Sequence, residues 1–398
     1  MFYDSAFRQK KIIIFTAFLI STFITGIAGA LQSPTLSRFL SDEIKAAPIL
    51  VGTFYSINAI ASIIGSFLLA KYSDQKGQRR YIVIFCCCMG IFNSITFAFT
   101  RYYFILITVG VFFAALASAA MPQIFALARE YAIKTGRNVV AFNSLIRAQL
   151  SLAWVIGPPL SFALAINYGF TTMYLSATAM YLLAIIVIML FLPSVERNPA
   201  PQYAATPALG DANEALIKNS SVVFLFLATV CMWTANMMYM IDMPLYVDKV
   251  LHLSSSLPGK MMGLAAGIEI PVMLIAGYLV PFIGKRNLIF FAVICGLLFY
   301  IGLIIFDNQF ALLGLQIFNA LFIGVVANIG IIYFQDLLPH SVGIASTLFT
   351  NAVTCSVIIG GLIQGIISDL YGHHAIYWIG LGMLIVSLVL CTQVKAVK

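Results

Sequence analysis

Charge is scarce in this sequence. Charged residues make up 9% of its 398 positions and hydrophobic residues 62%, whereas an ordinary soluble domain has about 25% charged residues. This balance excludes a soluble globular protein, which would lack the polar surface that keeps it dissolved. The net charge of +8 does not indicate a nucleic-acid-binding protein, because the basic residues are scattered over short loops.

Residues with catalytic or metal-binding chemistry are also few. None of the seven cysteines has metal-ligand spacing with histidines nearby. A G-x-x-x-x-G-K-[ST] phosphate loop is missing, which excludes ATP as the energy source. No serine or cysteine lies in a pattern that would activate it as a nucleophile. We therefore predict no metal, no cofactor and no enzymatic activity. The four histidines fall at expected helix ends or loops: His252, His340, His373 and His374.

Long apolar blocks are what the sequence has in abundance. A bilayer core about 30 Å thick needs roughly 20 apolar residues per helix, and lipid offers no partner to unpaired backbone groups. We therefore predict an all-α membrane protein with twelve transmembrane helices. The expected spans lie near 12–33, 49–70, 81–99, 103–127, 139–165, 171–192, 221–246, 260–283, 288–306, 310–334, 342–367 and 375–393.

The distribution of lysine and arginine predicts the orientation of the chain. If both termini are cytoplasmic, sixteen of the 22 Lys and Arg residues occupy cytoplasmic ends and loops, and five occupy outer loops. The remaining one, Arg147, lies within the fifth span. Such an excess on one side follows the positive-inside rule, so we expect a multi-pass protein with both termini in the cytoplasm.

The only long polar stretch divides the sequence into two halves. We predict an N-terminal six-helix bundle over 1–192, a cytoplasmic linker over 193–219 and a C-terminal six-helix bundle over 220–398. Repeated halves of this kind are typical of transporters in which one bundle rocks against the other. Three short echoes at equivalent places support a duplication: Gly77-Gln78-Arg79-Arg80 with Gly284-Lys285-Arg286, Ala128-Arg129-Glu130 with Phe334-Gln335-Asp336, and Val155-Ile156-Gly157-Pro158 with Ile358-Ile359-Gly360-Gly361.

Two segments resemble signatures of the major facilitator superfamily. Asp74-Gln75-Lys76-Gly77-Gln78-Arg79-Arg80 resembles the loop between the second and third helices, where Asp74, Gly77, Arg79 and Arg80 match the pattern. The resemblance implies a gate in which a helix N-terminus attracts the Asp74 carboxylate. Gly157-Pro158 is similar to the core of the antiporter signature. Proline removes a backbone donor, so we expect a kink there, and the signature suggests export.

A closer resemblance covers nearly the whole chain. The segments 127–132, 145–149, 152–159 and 267–271 look like the Set family of bacterial sugar efflux transporters. That resemblance implies a protein of the bacterial inner membrane that exports simple sugars and alkyl or thio-glycosides, driven by the proton gradient. The expected partners are a sugar, protons and the lipid bilayer, with no nucleic acid, and we expect a monomer.

Arg147 belongs to a polar stripe in the fifth span. Asn143, Arg147, Ser151, Trp154 and Pro158 stand at offsets of 0, 4, 8, 11 and 15, which at about 100° per residue share one helix face. Guanidinium donors suit sugar hydroxyls, and an indole face suits the apolar side of a sugar ring. The stripe therefore predicts a substrate-facing surface. The alternative is that Arg147 extends to the cytoplasmic surface or pins helices together.

Two carboxylates are candidates for proton coupling. Glu269 is the only acidic residue near the middle of a span, and an ionisable residue there costs roughly 2.5–3.5 kcal/mol, so it is rarely kept without a function. Asp242 lies near the outer end of the seventh span. The alternatives are a static ion pair for Glu269 and a solvated helix end for Asp242.

Neutral side chains complete the predicted substrate site. Asparagine and glutamine both donate and accept hydrogen bonds, as an uncharged, polyhydroxylated sugar requires. Any one of them could instead bridge helices. Besides Asn143, Arg147 and Trp154, the predicted substrate-binding residues are Gln32, Asn58, Trp233, Asn236, Gln316, Asn319 and Asn351.

Two rival functions remain open from the sequence. A multidrug/proton antiporter would have an aromatic and methionine-lined cavity, and 32 Phe and 15 Met permit one. Against this function, the fourth span lacks the arginine that many proton-coupled drug exporters have there. A transporter-like sensor would need a large cytoplasmic element, for which 193–219 is short.

Overall fold

The computed structural model describes residues 2–76, 79–194, 220–339 and 341–395, and of 2–11, 74–76, 140, 141 and 342 the backbone alone. Within these ranges the chain is helical and contains no β-strand. Eleven helical stretches are long and apolar enough to cross a membrane, one of them Phe142–Phe191 with 50 residues. Gly169, with φ 82° and ψ 161°, interrupts that stretch, which therefore forms two spans. The predicted all-α fold of twelve transmembrane helices is confirmed.

The helices are numbered by span. In the first half, α1 is Phe2–Gln32, α2 Pro48–Lys76, α3 Arg79–Phe99 and α4 Tyr103–Lys134, while Val139–Phe191 comprises α5 before Gly169 and α6 after it. In the second half, α7 is Ser220–Lys249, α8 Leu257–Ile283, α9 Lys285–Ile305, α10 Gln309–Leu337, α11 Val342–Tyr371 and α12 Ala375–Thr392. Several helices extend beyond the predicted spans, because helical hydrogen bonding continues where hydropathy falls.

The described residues form two compact units. One lies within Met1–Ile44 and Ile57–Ala200, and the other within Lys45–Ser56 and Pro201–Lys398. The first turns of α2 therefore belong to the second unit through their contacts with α11, where Ser56 Oγ donates to the Ile358 carbonyl at 2.7 Å. Most of the predicted linker, 195–219, lies outside the described residues, so the predicted domain division stays a prediction.

Small residues let α1 and α5 approach closely in the first unit. Gly26 lies against Ala153, and Gly157 lies against Ala30. Farther along, the Thr35 and Ser161 hydroxyl groups are 3.0 Å apart and hydrogen-bonded. Interfaces of this kind are typical of membrane helices, which pack through close backbone contact rather than through exclusion of water.

Gly157→Val should destabilise the first unit. A Cβ at this position would overlap the Ala30 side chain, and overpacking of a tight interface costs about 1–3 kcal/mol. We expect a lower midpoint of thermal unfolding for the purified variant in detergent. Gly29→Ala is the matched control, since no heavy atom lies within 4 Å of its added Cβ. Equal midpoints for the two variants would contradict this packing role.

The second unit repeats this pattern with different side chains. Gly360 of α11 lies against Met237 of α7. Asn328 Nδ2 of α10 donates to the Met273 carbonyl of α8 at 2.8 Å. Gly380 of α12 accommodates the ring of Tyr300 from α9. The α7–α11 contact corresponds to the α1–α5 contact of the first unit.

Equivalent ion pairs strengthen the evidence for duplication. Arg79, at the start of α3, pairs with Glu130 of α4 at 2.6 Å, and Lys285, at the start of α9, pairs with Asp336 of α10. Both pairs are 51 residues apart in sequence. The neighbouring Arg80 and Arg286 each donate to a backbone carbonyl, at Met189 and Thr392. Two of the three sequence echoes thus occupy equivalent places in the two units.

Candidate functional site

The α5 helix has three distinct sides. Ile146, Ala153 and Gly157 are buried. A second side is exposed and apolar, with Leu145, Leu152, Ile156 and Leu160. The remaining side contains the predicted polar stripe, in which Arg147 and Ser151 are exposed, Asn143 and Trp154 half-buried and Pro158 buried. Because polar and apolar exposed residues are segregated, the two exposed sides face different surroundings, and the apolar side suits lipid.

The described residues of its unit make few contacts with the Arg147 guanidinium. Its guanidinium lies 5.2 Å from the centre of the Phe125 ring of α4, and among the described residues of that unit its side chain has no hydrogen bond or ion pair. One turn earlier, the buried Asn143 Oδ1 has no hydrogen-bond partner among the described residues. The stripe therefore offers both donors and an acceptor that no described group of this unit occupies.

The other predicted amides of the first unit lie on α1 and α2. Gln32 Oε1 accepts from Asn93 Nδ2 of α3 at 3.0 Å, and Gln32 Nε2 donates to the Ala28 carbonyl. Gln32 thus bridges helices, which is the alternative considered for every amide. Asn58 of α2 is different, because its buried Oδ1 has no partner among the described residues.

A polar cluster joins α7 to α10 in the second unit. The Tyr239 hydroxyl donates to Gln316 Oε1 at 3.3 Å, and Asn319 Nδ2 donates to the same oxygen at 3.0 Å. Tyr239, Gln316 and Asn319 are at most 5% exposed. Within the described ranges, Asn319 Oδ1 and Trp233 Nε1 are buried without partners. Leaving such groups unpaired costs about 1–3 kcal/mol each, which a bound hydroxyl group would offset.

Asn236, Asn351 and Glu269 lie on three different helices of the same unit. Asn236 of α7 is 7% exposed, and Asn351 of α11 is half-buried. Glu269 of α8 is half-buried beside α10, where Gly324 permits close approach to the Glu269 carbonyl. Among the described residues of this unit, no hydrogen bond or ion pair holds the Glu269 carboxylate. This leaves it available to exchange a proton.

The burial of Asp242 corrects one alternative drawn from the sequence. It is 0% exposed, so a solvated helix end is wrong for this residue. Its Oδ1 accepts from Gln364 Nε2 of α11 at 2.9 Å and lies 2.8 Å from Nδ1 of His373. The sequence predicts a neutral pathway amide at Gln364 and a helix end or loop at His373, and it does not indicate a contact of either with Asp242. Residues more than a hundred positions apart share no local pattern, and the available signal was that a buried carboxylate requires donors.

The predicted gating residues fall partly outside the described part of the chain. The Asp74 side chain and Gly77 are not described. Arg79 has three side-chain partners. It pairs with Glu130, and its Nη1 donates to Ser73 Oγ at 2.9 Å and to Gln123 Oε1 at 3.0 Å. Ser73 Oγ donates to the same Gln123 oxygen at 2.8 Å. The network fastens the end of α2 and the start of α3 to α4.

The predicted kink residues lie in a tightly packed helix interface. Helical structure continues through Pro158, and Gly157 is in tight contact with Ala30. In the described part of α5 and α6, the non-helical backbone is at Gly169. The role of Gly157-Pro158 in transport stays a prediction.

Comparison with solved structures identifies the fold. The chain is similar to the nucleoside transporter NupG with a TM-score of 0.84 at 14% identity, covering 97% of this chain and 100% of that one. It is also similar to a bacterial homologue of the human lysosomal transporter Spinster, with a TM-score of 0.76 at 10% identity, covering 96% and 95%. At these identities the likeness concerns the fold alone.

Sequence comparison identifies the family. A family model described as Major Facilitator Superfamily matches residues 18–311. Sugar efflux transporter A of Escherichia coli is 51% identical over 96% of this chain and 97% of its own length. Sugar efflux transporter B of Salmonella typhimurium is 46% identical over 96% of each chain.

These matches confirm the resemblance seen in the sequence, and they make the protein a membrane transporter rather than an enzyme. The chain belongs to the major facilitator superfamily and, within it, to the family that these sugar efflux transporters represent.

Proposed function

We propose that this protein exports simple sugars and glycosides in exchange for protons, by alternating access. The relatives that share about half of its residues over nearly their full length are named as sugar efflux transporters. Export also suits the antiporter-like Gly157-Pro158 segment. The proposal assigns sugar recognition to the neutral polar groups of the spans and energy coupling to a carboxylate.

The observation that supports a sugar best is a set of neutral groups inside the helices that have no hydrogen-bond partner among the described residues. Asn58 Oδ1, Asn143 Oδ1 and Asn319 Oδ1 are acceptors, and Trp233 Nε1 is a donor. Sugar hydroxyl groups satisfy both kinds, since each donates and accepts. An organic anion would require several cations, and away from the ends of the predicted spans Arg147 is the one cation that the sequence offers. In this proposal the sugar-binding groups of the first unit are Arg147 and Trp154, and those of the second unit are the members of the α7–α10 cluster.

Glu269 is the proposed coupling carboxylate. It lies inside α8 without a partner among the described residues of its own unit, and a neutral, protonated form is cheaper there than a charged one. One proton entering down a potential of 100 mV supplies about 2.3 kcal/mol. Since a tenfold gradient costs about 1.4 kcal/mol, one proton supports an outward sugar gradient of well over tenfold.

The proposed arrangement in the cell follows from the relatives and from charge. We infer an inner-membrane location from the bacterial relatives, and cytoplasmic termini because this orientation places most of the basic residues on the cytoplasmic side. The 1–192 and 220–398 bundles, the 193–219 linker and a monomeric state belong to the same proposal. The Arg79–Glu130 network would then lie at the cytoplasmic ends of α2, α3 and α4, where the matching motif implies a gate.

Transport by the purified protein in liposomes tests the proposal. With an acidic lumen, vesicles should accumulate labelled lactose and other simple sugars from the medium, and accumulation should grow with the imposed pH difference. Protein-free liposomes and a collapsed gradient are the controls. Accumulation of lipophilic cations such as ethidium, without any sugar from the panel, would reject the proposal in favour of a multidrug antiporter. No transport of either class would favour a sensor.

A further inference from the structure

The second unit contains an ionisable pair that the proposed sugar and proton sites do not use. Asp242 of α7 is fully buried, and His373 lies in the turn between α11 and α12 with 15% of its side chain exposed. Their Oδ1 and Nδ1 atoms are 2.8 Å apart. Asp242 Oδ2 and Gln364 Oε1, both buried, have no partner among the described residues. The pair thus connects the surface of the chain to polar atoms in its interior.

The hydrogen bonds fix where a proton can bind. An ionised carboxylate only accepts hydrogen bonds, so His373 Nδ1 carries a hydrogen and donates it to Asp242. The Ser368 hydroxyl, 3.0 Å from the same nitrogen, cannot then donate to it. The free acceptor of the imidazole is therefore Nε2. A proton taken up at Nε2 produces an imidazolium whose charge the Asp242 carboxylate balances.

The internal duplication provides a comparison for this pair. At the corresponding end of the α1–α5 interface, the first unit has the neutral Thr35–Ser161 contact at 3.0 Å. The fold can therefore close this interface with two hydroxyl groups. Burying a carboxylate is expensive unless it is paired, so the ionisable version in the second unit requires a reason beyond packing.

Tyr246 and Tyr377 are neighbours of the pair. The Tyr246 ring lies 4.7 Å from that of Tyr377 and 6.1 Å from that of His374, measured between centroids. Asp369, next to Ser368, is exposed. The described ionisable groups near the pair are Tyr246 and Tyr377, which interact electrostatically with Asp242, and His374, whose ring lies beside that of Tyr246. These tyrosines in turn interact with Tyr239, with Tyr300 and with Asp307 of the α9–α10 connection.

We propose that His373, positioned by Asp242, is a proton-binding site of the transport cycle, separate from Glu269. This inference rests on the proposed proton-coupled function and on the predicted orientation. That orientation puts the α11–α12 turn on the outer side of the membrane, from which protons enter. Asp242 is one turn from Tyr239, which donates to Gln316. Protonation at His373 thereby acts on α7 close to the proposed sugar-binding cluster.

The test uses the full-length protein in proteoliposomes whose lumen corresponds to the outer side. Labelled lactose accumulation is measured at several lumenal pH values with the external pH fixed. We expect His373→Gln to lose the dependence on lumenal pH, because glutamine can donate to Asp242 but cannot take up a proton. Sugar exchange at equal pH on both sides should persist, which shows that the variant is folded. His374→Gln is the matched control and should keep the wild-type profile.

Asp242→Asn and the double variant complete the test. If the two residues act as one site, Asp242→Asn and the double variant should each lose the pH response to the same extent as His373→Gln, and a wild-type response in Asp242→Asn would contradict the positioning role of Asp242. A wild-type pH profile in His373→Gln, or a sodium dependence in place of the pH dependence, would overturn this inference while leaving sugar export intact. If the wild-type protein itself accumulates sugar independently of pH, the proposed antiport fails, and the inference fails with it.

Discussion

Glu269→Gln will abolish accumulation of sugar driven by a pH gradient and leave exchange of sugar across the membrane largely intact. Glutamine keeps the shape and hydrogen-bonding capacity of a protonated glutamate but cannot release a proton. A carrier fixed in this form can still alternate with sugar bound, while its coupling to protons is lost. In proteoliposomes with an acidic lumen, the accumulation ratio of labelled lactose should fall from about tenfold per unit of imposed pH difference, for one proton per sugar, to unity.

Glu269→Gln should change proton exchange without disturbing the packing around the residue. Glu269 has no hydrogen bond or ion pair among the described residues of its unit, so its replacement leaves no buried partner unsatisfied. Lys285 and Asp336, by contrast, are paired, and a change there would disturb α9 and α10. Asp369→Asn, at an exposed position of α11, is the matched control. Undiminished accumulation in Glu269→Gln would show that another residue couples transport to protons.

The fold was largely predictable because the membrane imposes a one-dimensional signal. Each span needs a block of apolar residues, so α9 and α12 could be located from hydropathy alone. The break at Gly169 falls in the predicted gap between 165 and 171. The errors lie where a helix continues beyond its apolar block: α4 ends at Lys134 rather than near 127, because hydropathy falls at Arg129, Glu130 and Lys134 while the helix continues.

The candidate site was predictable in part, for the same reason. Periodicity along one helix put Asn143, Arg147 and Trp154 on a common face of α5, since neighbours on a helix follow a fixed repeat. Contacts between distant segments gave no such signal. The Asp242–His373 pair joins residues 131 positions apart, and Gly157 was interpreted as a kink residue although it also packs against Ala30. Three-dimensional pairing of this kind requires coordinates.

Arg147→Ala will weaken sugar binding without unfolding the protein. A hydrogen bond from a charged donor contributes about 1.5–3 kcal/mol, which corresponds to a loss of affinity of roughly 10- to 100-fold. The stability of the fold should change far less. The guanidinium contacts the Phe125 ring at 5.2 Å, and at an exposed position such a contact contributes only about 0.5–1 kcal/mol.

Binding of labelled lactose to the purified protein measures the first effect, and thermal unfolding in detergent measures the second. Leu152→Ala is the matched control, because it truncates an exposed residue on the apolar side of the same helix. Arg147→Lys separates charge from geometry, because a lysine retains the charge but lacks the planar donor group of arginine. If Arg147→Lys binds sugar more tightly than Arg147→Ala but less tightly than the wild type, the missing affinity is due to the planar geometry of the guanidinium. Wild-type affinity in Arg147→Ala would remove this residue from the sugar site and leave recognition to the α7–α10 cluster.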